Sequence, residues 1–407
     1  MNQFRPISPP EEAAAPRVTP VLLALALGGF AIGTTEFATM SLLPFFAPDL
    51  GVSEAQASHA ISAYALGVVV GAPLLAVLGA RMDRRRLLIG LMLMFAVGNL
   101  LSAMAANFGQ MLLVRFLAGV PHGAYFGVAA LMAASLVPIE RRAQAMARVM
   151  LGLTIATIIG VPLANIIGQQ FGWRWGFGLV TACALATAAL IAWLAPSQPA
   201  KVGQSPFTEL GALANGQVWL TLSIGAIGFG GLFAVYTYLA DILGAVTHIS
   251  PSIVPLVMAV FGIGMTLGNL FIPVLADRAV MPTAGGLLVW SAVVLAIFPF
   301  TAGNIWTISI CVFFVGFGGA LGTVLQTRLM DVAEDAQGLA AALNHSAFNF
   351  ANALGPYLGG LALAAGYGWT SPGWVGSLLA IGGFVLWSVS VVTSRSAQRS
   401  TALSNEG

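Results

Sequence analysis

Glu36, Arg115 and His122 are ionisable side chains set deep inside long apolar stretches, a placement suited to moving protons. A charged carboxylate at the middle of a membrane helix costs about 2.5–3.5 kcal/mol on insertion scales, so it must be neutral, paired or facing water. Glu36 is the acid so placed, and Gly29, Gly33, Glu36 and Met40 follow i, i+4, i+7, i+11, giving a small-residue stripe that leads to it. Two roles fit: reversible proton binding at a coupling site, or a neutral carboxyl that bonds a neighbouring helix for packing. A Gln would pack without the insertion cost, which favours the proton site. Arg115 shares a helix face with Gly119, His122 and Phe126 at the same spacing. It enters the span by ~9 Å at helical rise, either buried or snorkelling to the outer headgroups. His122, with a Pro before it and a Gly after it, fits a hydrogen-bonded packing role or a part in the proton site. No second His stands at metal-ligand spacing, so no metal site is expected.

These residues need helices to hold them. Twelve apolar stretches are expected as membrane helices at about 20–46, 54–80, 87–106, 109–135, 144–169, 174–195, 217–243, 252–276, 282–302, 305–327, 338–364 and 371–393. Each is long enough to cross ~30 Å of hydrocarbon at ~1.5 Å per residue. Of the 16 Lys and Arg residues, only Arg115 and Arg174 fall outside segments that face one side of the membrane. Basic residues are retained on the cytoplasmic side, so both ends of the chain are expected there. A Pro- and Ser-rich segment, 196–216, divides the chain into an N-terminal tail (1–19) and bundle (20–195), and a second bundle (217–393) with a C-terminal tail (394–407). The fold expected is all-α and integral to the membrane, with twelve transmembrane helices in two pseudo-symmetric six-helix bundles.

Composition narrows the function. The hydrophobic share is 58% and the charged share 7%, with a mean hydropathy of +0.91; soluble chains run at about 45–50% and about 25%. A net charge of +2 gives no reason to expect nucleic acid as a partner. Lys201 is the only lysine and no Gly-rich loop precedes it, so no nucleotide site is expected, and an ion gradient must drive any uphill movement. Cys183 and Cys311 both fall inside spans, which argues against a disulfide framework.

The two halves echo each other at an offset of about 195 residues. Gly71-Ala72-Pro73-Leu74-Leu75-Ala76-Val77-Leu78-Gly79-Ala80-Arg81 lies over Gly268-Asn269-Leu270-Phe271-Ile272-Pro273-Val274-Leu275-Ala276-Asp277-Arg278, and Gly160-Val161-Pro162 has a near counterpart in Gly355-Pro356. Six spans plus six around a linker is the plan of a rocker-type secondary transporter with a site between its halves.

Four segments carry a family resemblance: Gly33-Thr34-Thr35-Glu36-Phe37 in span 1, Arg115-Phe116-Leu117-Ala118-Gly119-Val120-Pro121-His122-Gly123 in span 4, Gly160-Val161-Pro162 in span 5, and Gly172-Trp173-Arg174-Trp175 opening span 6. With these the chain resembles major facilitator superfamily permeases of the twelve-span drug:proton antiporter branch, and among them the bacterial arabinose-efflux type. The resemblance implies a monomer in the bacterial inner membrane, energised by the proton gradient, with no cofactor and with protons, lipid and a small solute as its partners. It implies that spans 1 and 4 line a central cavity together, which brings Arg115 and Glu36 within range of pairing. It assigns Gly152, Gly160, Pro162 and Gly168 to antiporter-motif helix packing, though ordinary packing explains small residues equally well. The loop between spans 2 and 3 departs from the family pattern: aligned on Arg84-Arg85-Arg86, Ala80 occupies the acidic position and Asp83 the place of a Gly. The second-half copy keeps Asp277-Arg278. Asp83, Arg84, Asp277 and Arg278 are expected either to latch the halves or, for the arginines, to anchor topology.

Candidate cavity residues are Phe37, Phe126, Tyr236, Tyr238, Gln326, His345, Asn349 and Asn352, the last three at i, i+4, i+7 on one face. Amides there suit a sugar or nucleoside, aromatics a hydrophobic drug, and both suit plain helix packing. The leading expectation is proton-driven efflux, with uptake by symport as the alternative. An enzyme or a sensor fits less well, since no paired carboxylates or defensible Ser–His–Asp set is present and the extramembrane segments are short.

Overall fold

The computed structural model describes residues 18–52, 54–57, 59–199, 205–250 and 253–405. The expected N-terminal tail with Arg5 and Arg17, and Lys201 in the linker, lie outside the described residues. Twelve long helices run in order: α1 Val18–Asp49, α2 His59–Leu78, α3 Arg84–Ala103, α4 Phe108–Ser135, α5 Ile139–Phe171, α6 Trp173–Leu194, α7 Gly216–Ala245, α8 Val254–Ala276, α9 Val280–Thr301, α10 Ile305–Val332, α11 Gln337–Ala364 and α12 Ser371–Asn405. Eleven of them are long and apolar enough to cross a membrane. The remaining one, α11, has the length at 28 residues but carries Asn344, His345, Asn349 and Asn352. A polar helix of this kind is stable in a membrane only when its neighbours screen it from lipid. Here α2, α4, α7, α10 and α12 pack around it.

Helix starts are set by local chemistry. Asp83 caps α3 by accepting the Arg86 amide at 3.0 Å, and Asn107 caps α4 by accepting the Gln110 amide at 2.9 Å. The first span runs past its expected end to Asp49, whose carboxylate accepts from Trp173 Nε1 at 2.9 Å and Arg174 Nη1 at 2.5 Å. Those bonds, Arg174 first, hold the Asp49 carboxyl below its ordinary range. In α5 the ladder widens to a π-turn at Ala156–Gly160, where the Val161 amide reaches back to the Ala156 carbonyl. Pro162 follows and has no N–H to restore the regular ladder, so the helix bends there.

The sequence echo is a packing echo. In the first half α2 lies on α4, α1 on α5 and α3 on α6; in the second half α8 lies on α10, α7 on α11 and α9 on α12. Gly67 and Gly71 face the carbonyls of Phe116 and Val120, and 197 positions later Gly264 and Gly268 face those of Phe313 and Phe317. The return contacts match as well: Gly119 sits on the Tyr64 carbonyl and Gly316 on that of Phe261. A Cβ at Gly67 or Gly264 would lie 2.1 or 2.0 Å from the facing oxygen, so only glycine allows these backbones to meet. Between the halves α4 and α2 pack on α11, and α5 packs on α8.

Gly67→Ala and Gly264→Ala should each destabilise the detergent-solubilised protein by about 1–3 kcal/mol through overpacking. Gly286→Ala, where nothing lies within 4 Å of the added methyl, should leave melting unchanged. Comparing the thermal melts of the three variants checks this.

Candidate functional site

A cavity of about 80 Å³ lies between the halves, lined from the middle parts of their helices. Seven helices line it: α1, α4 and α5 from the first half, α7, α8, α10 and α11 from the second. Its wall is mostly apolar, with Phe37, Met150, Leu153, Phe229, Leu232, Phe233, Phe261, Met265 and Phe348. The polar groups are Glu36 and His122 from the first half with Thr154 and Thr157 of α5, and from the second Tyr236, Asn269 with Thr323, and His345, Asn349 and Asn352 along α11. Apolar walls with a few placed polar groups are the usual form of a small-molecule site.

Glu36 reaches the cavity from α1. The expected ion pair with Arg115 is not formed; among the described residues the ion pairs are Arg142–Asp331 and Arg174–Asp49. Arg115 is nevertheless buried, at 1% exposure, and does not snorkel. Its Nη1 donates to Thr35 Oγ1 at 3.2 Å, and Thr35 donates to Asn99 Oδ1 at 2.6 Å. The guanidinium also lies over the Tyr64 ring, 4.4 Å from its centroid. The direct pair fails for a local reason: Thr35, the residue before Glu36, offers an oxygen to the guanidinium first, and Tyr64 covers its face. The Tyr64 hydroxyl bonds His122 Nδ1 at 3.0 Å, which ties the arginine to the cavity wall.

His122 meets His345 of the other half, with ring centroids 5.8 Å apart. His345 stacks on Phe126 at 4.6 Å and 14°. Phe126 and Gln326 line a smaller adjoining cavity with His345 and Phe348 and do not reach the main one. Gln326 accepts from Asn344 Nδ2 at 2.6 Å, so much of its hydrogen-bonding capacity is used inside the bundle. Tyr236 lines the main cavity; Tyr238 does not, because its hydroxyl donates to the Pro356 carbonyl at 2.8 Å. Asn349 lines the cavity while its amide donates to the His345 carbonyl at 2.9 Å. The α5 glycines meet α1: Gly152 faces the Ala26 carbonyl, Gly160 the Thr34 hydroxyl and Gly168 the Leu42 side chain, while Pro162 is exposed.

The arginine-bearing end is closed. Asp277 at the end of α8 accepts the Ala143 amide at 2.7 Å and Gln144 Nε2 at 2.9 Å, capping the first turns of α5 across the halves. Arg142 pairs with Asp331 across the same gap, and Ala130, Leu131, Met146 and Met330 pack beneath. Asp83 and Arg84, expected to join this latch, do not: Asp83 caps its own helix and accepts from Ser197 at 2.7 Å, and Arg84 bonds Gln198. They tie the linker to the first half instead. Arg278 is exposed.

Sequence reasoning passed over Glu209, Tyr64, Thr35 and Phe348. Glu209, in the linker helix Pro206–Leu210, is only 2% exposed and accepts the Leu339 amide at 2.7 Å. Burial pushes its carboxyl above the ordinary range, opposed by that amide and by Arg84. A signal was present: Ser205 before Pro206 is a helix-start pattern, which turns a linker acid into a positioned one.

The sequence matches the model of the Major Facilitator Superfamily over residues 25–246 and again over 218–406, once for each half. It is 39% identical over 362 residues to the inner membrane transport protein YdhP of Escherichia coli K12, covering 88% of this chain and 92% of that protein. It is 32% identical over 368 residues to a chloramphenicol resistance protein of Streptomyces lividans, covering 88% and 93%. The fold superposes on the crystal structure of the E. coli fucose:proton symporter FucP with a TM-score of 0.74 at 14% identity, covering 92% and 98%. With its paired halves, its cavity between them and these likenesses, the chain belongs to the Major Facilitator Superfamily of membrane transporters.

Proposed function

We propose that this protein is a proton-coupled efflux transporter of the bacterial inner membrane that exchanges an external proton for a lipophilic solute bearing one or two hydrogen-bonding groups. The observation that carries this reading is Glu36 opening into an apolar cavity built by both halves. A carboxyl in that position can hold a proton while neutral and yield it when solute, or the change of side, alters its surroundings. Arg115 bonds Thr35, the residue before Glu36, while Tyr64 and His122 carry that arrangement to the cavity wall. A sugar would bring many hydroxyls to a wall whose exposed surface is mostly apolar, and each unmet hydroxyl costs free energy. The chloramphenicol resistance relative supports the lipophilic class, and a relative named a probable sugar efflux transporter supports the outward direction.

The bundles 20–195 and 217–393 act as the two rocking bodies, joined by 196–216. With the arginine-bearing end taken as cytoplasmic, Asp277 and the Arg142–Asp331 pair close the inner side, and the state is outward-facing. One chain supplies both walls of the cavity, so a monomer suffices. The proton gradient supplies the energy, with Glu36 in place of any cofactor. Proton-coupled uptake is the second reading, favoured by the fold shared with a fucose:proton symporter.

Reconstitution in liposomes with a pH-sensitive dye tests both. An imposed gradient of lipophilic solute should move protons in the opposite sense; movement in the same sense would favour symport. Glu36→Gln should reduce solute-driven proton flux to that of empty vesicles, and persistence of that flux would remove Glu36 from the coupling role. Phe348→Ala, which takes a ring from the apolar wall, should weaken lipophilic solute binding roughly tenfold, the effect of losing about 1.5 kcal/mol of apolar contact. Binding measured by scintillation proximity reads that change directly.

A further inference from the structure

The two-fold plan of the halves requires two caps at the arginine-bearing end, and only one is made in the expected way. Asp277, on the loop after α8, receives the amides of Ala143 and Gln144 at the start of α5. The repeat places Ala80 opposite Asp277, at 197 positions, and Gly338 and Leu339 opposite Ala143 and Gln144, at 195. An alanine cannot accept a hydrogen bond through its side chain, so the start of α11 should be left uncapped. It is capped all the same. Glu209 receives the amides of Gly338 and Leu339, the very counterparts of the pair held by Asp277. Gly338 makes room for it, since a Cβ there would lie 3.0 Å from the carboxylate.

The linker helix that carries Glu209 lies between the halves. It packs on α2 of the first and α11 of the second, Ala212 just after it joins Ala72 and Ala76 of α2 and Leu339 and Ala340 of α11 in one buried cluster, and Arg84 of the first half acts on the Glu209 carboxylate. Upstream, Ser197 bonds Asp83, Gln198 bonds Ser135, and the Arg84 amide bonds the Gln198 carbonyl. The carboxylate therefore joins a first-half platform to a second-half helix, as Asp277 does in the opposite sense.

We infer that Glu209 is a positioning residue of the transport cycle: the linker supplies the closing contact that the loop between α2 and α3 has lost at Ala80. The linker is thus half of the latch as well as the tether, and opening of the arginine-bearing end must break the carboxylate's grip on α11. This rests on the rocking-halves reading above, but its test reads closure and not transport, so the two fail separately.

The experiment places a reporter, Met146→Cys, at the closed seam in a Cys183→Ser, Cys311→Ser background, and follows its alkylation by a maleimide in detergent. Glu209→Ala should raise the alkylation rate roughly fivefold, the size of one lost helix cap, as should Asp277→Ala. Adding Ala80→Asp to Glu209→Ala should return the rate to within about twofold of the parent, since an acid is restored at the repeat's own position. A general loss of packing would not be reversed in that way. Glu209→Gln, which keeps the side chain's shape, serves where the alanine variant does not fold, and should give an intermediate rate. An unchanged rate in the folded Glu209 variants, or no recovery with Ala80→Asp, would overturn the inference.

Discussion

A cation buried in hydrocarbon must be answered by protein, and Arg115 organises the first half around that demand. Water is not available to it at 1% exposure, and lipid offers no partner. The protein answers with the Thr35 hydroxyl and the face of Tyr64. Each of these is held in turn: Thr35 by Asn99, and Tyr64 by His122. The result is a polar thread running from a closed helix interface to the cavity wall. Glu36, one residue on from Thr35, faces the cavity between the halves.

The same scarcity of polar partners explains how the halves are built. No water competes for backbone groups inside the membrane, and apolar side chains gain little there by leaving lipid, so close van der Waals approach must hold helices together. Glycine supplies it at Gly67, Gly71 and Gly119, and again at Gly264, Gly268 and Gly316. These interfaces are rigid within a half. The contacts between halves at the arginine-bearing end are of another kind: carboxylates on helix amides, one ion pair and a small apolar cluster. Such polar contacts can be exchanged for water as the seam opens, whereas the glycine contacts within each half have no comparable substitute. The division between rigid body and moving seam follows from the chemistry of the two interfaces.

Where the repeat is imperfect, the structure repairs it. Ala80 removes an acid from the loop between α2 and α3, yet the start of α11 keeps a carboxylate because Glu209 arrives from the linker. Asp83 and Arg84, freed from the latch, fasten the linker in position. An asymmetric sequence thus gives a nearly symmetric set of helix caps, since what α11 requires is an acceptor at its amides and not one from a particular loop.

The amino-acid sequence by itself determined the all-α membrane fold and the number of long helices, and it singled out Glu36 and Arg115 as charges costly in lipid. These follow from length, hydropathy and the penalty on charge in lipid, and each acts on a residue whatever its neighbours. The tertiary structure alone decided partners. Thr35 intercepts Arg115 before Glu36 does, Tyr238 turns from the cavity to the Pro356 carbonyl, His345 meets His122 across the halves, and Glu209 reaches α11 over 130 residues of chain. Hydropathy fixes how deep a residue lies, but a hydrogen bond depends on which helix faces it and at what rotation, and those are set only when all the helices pack at once.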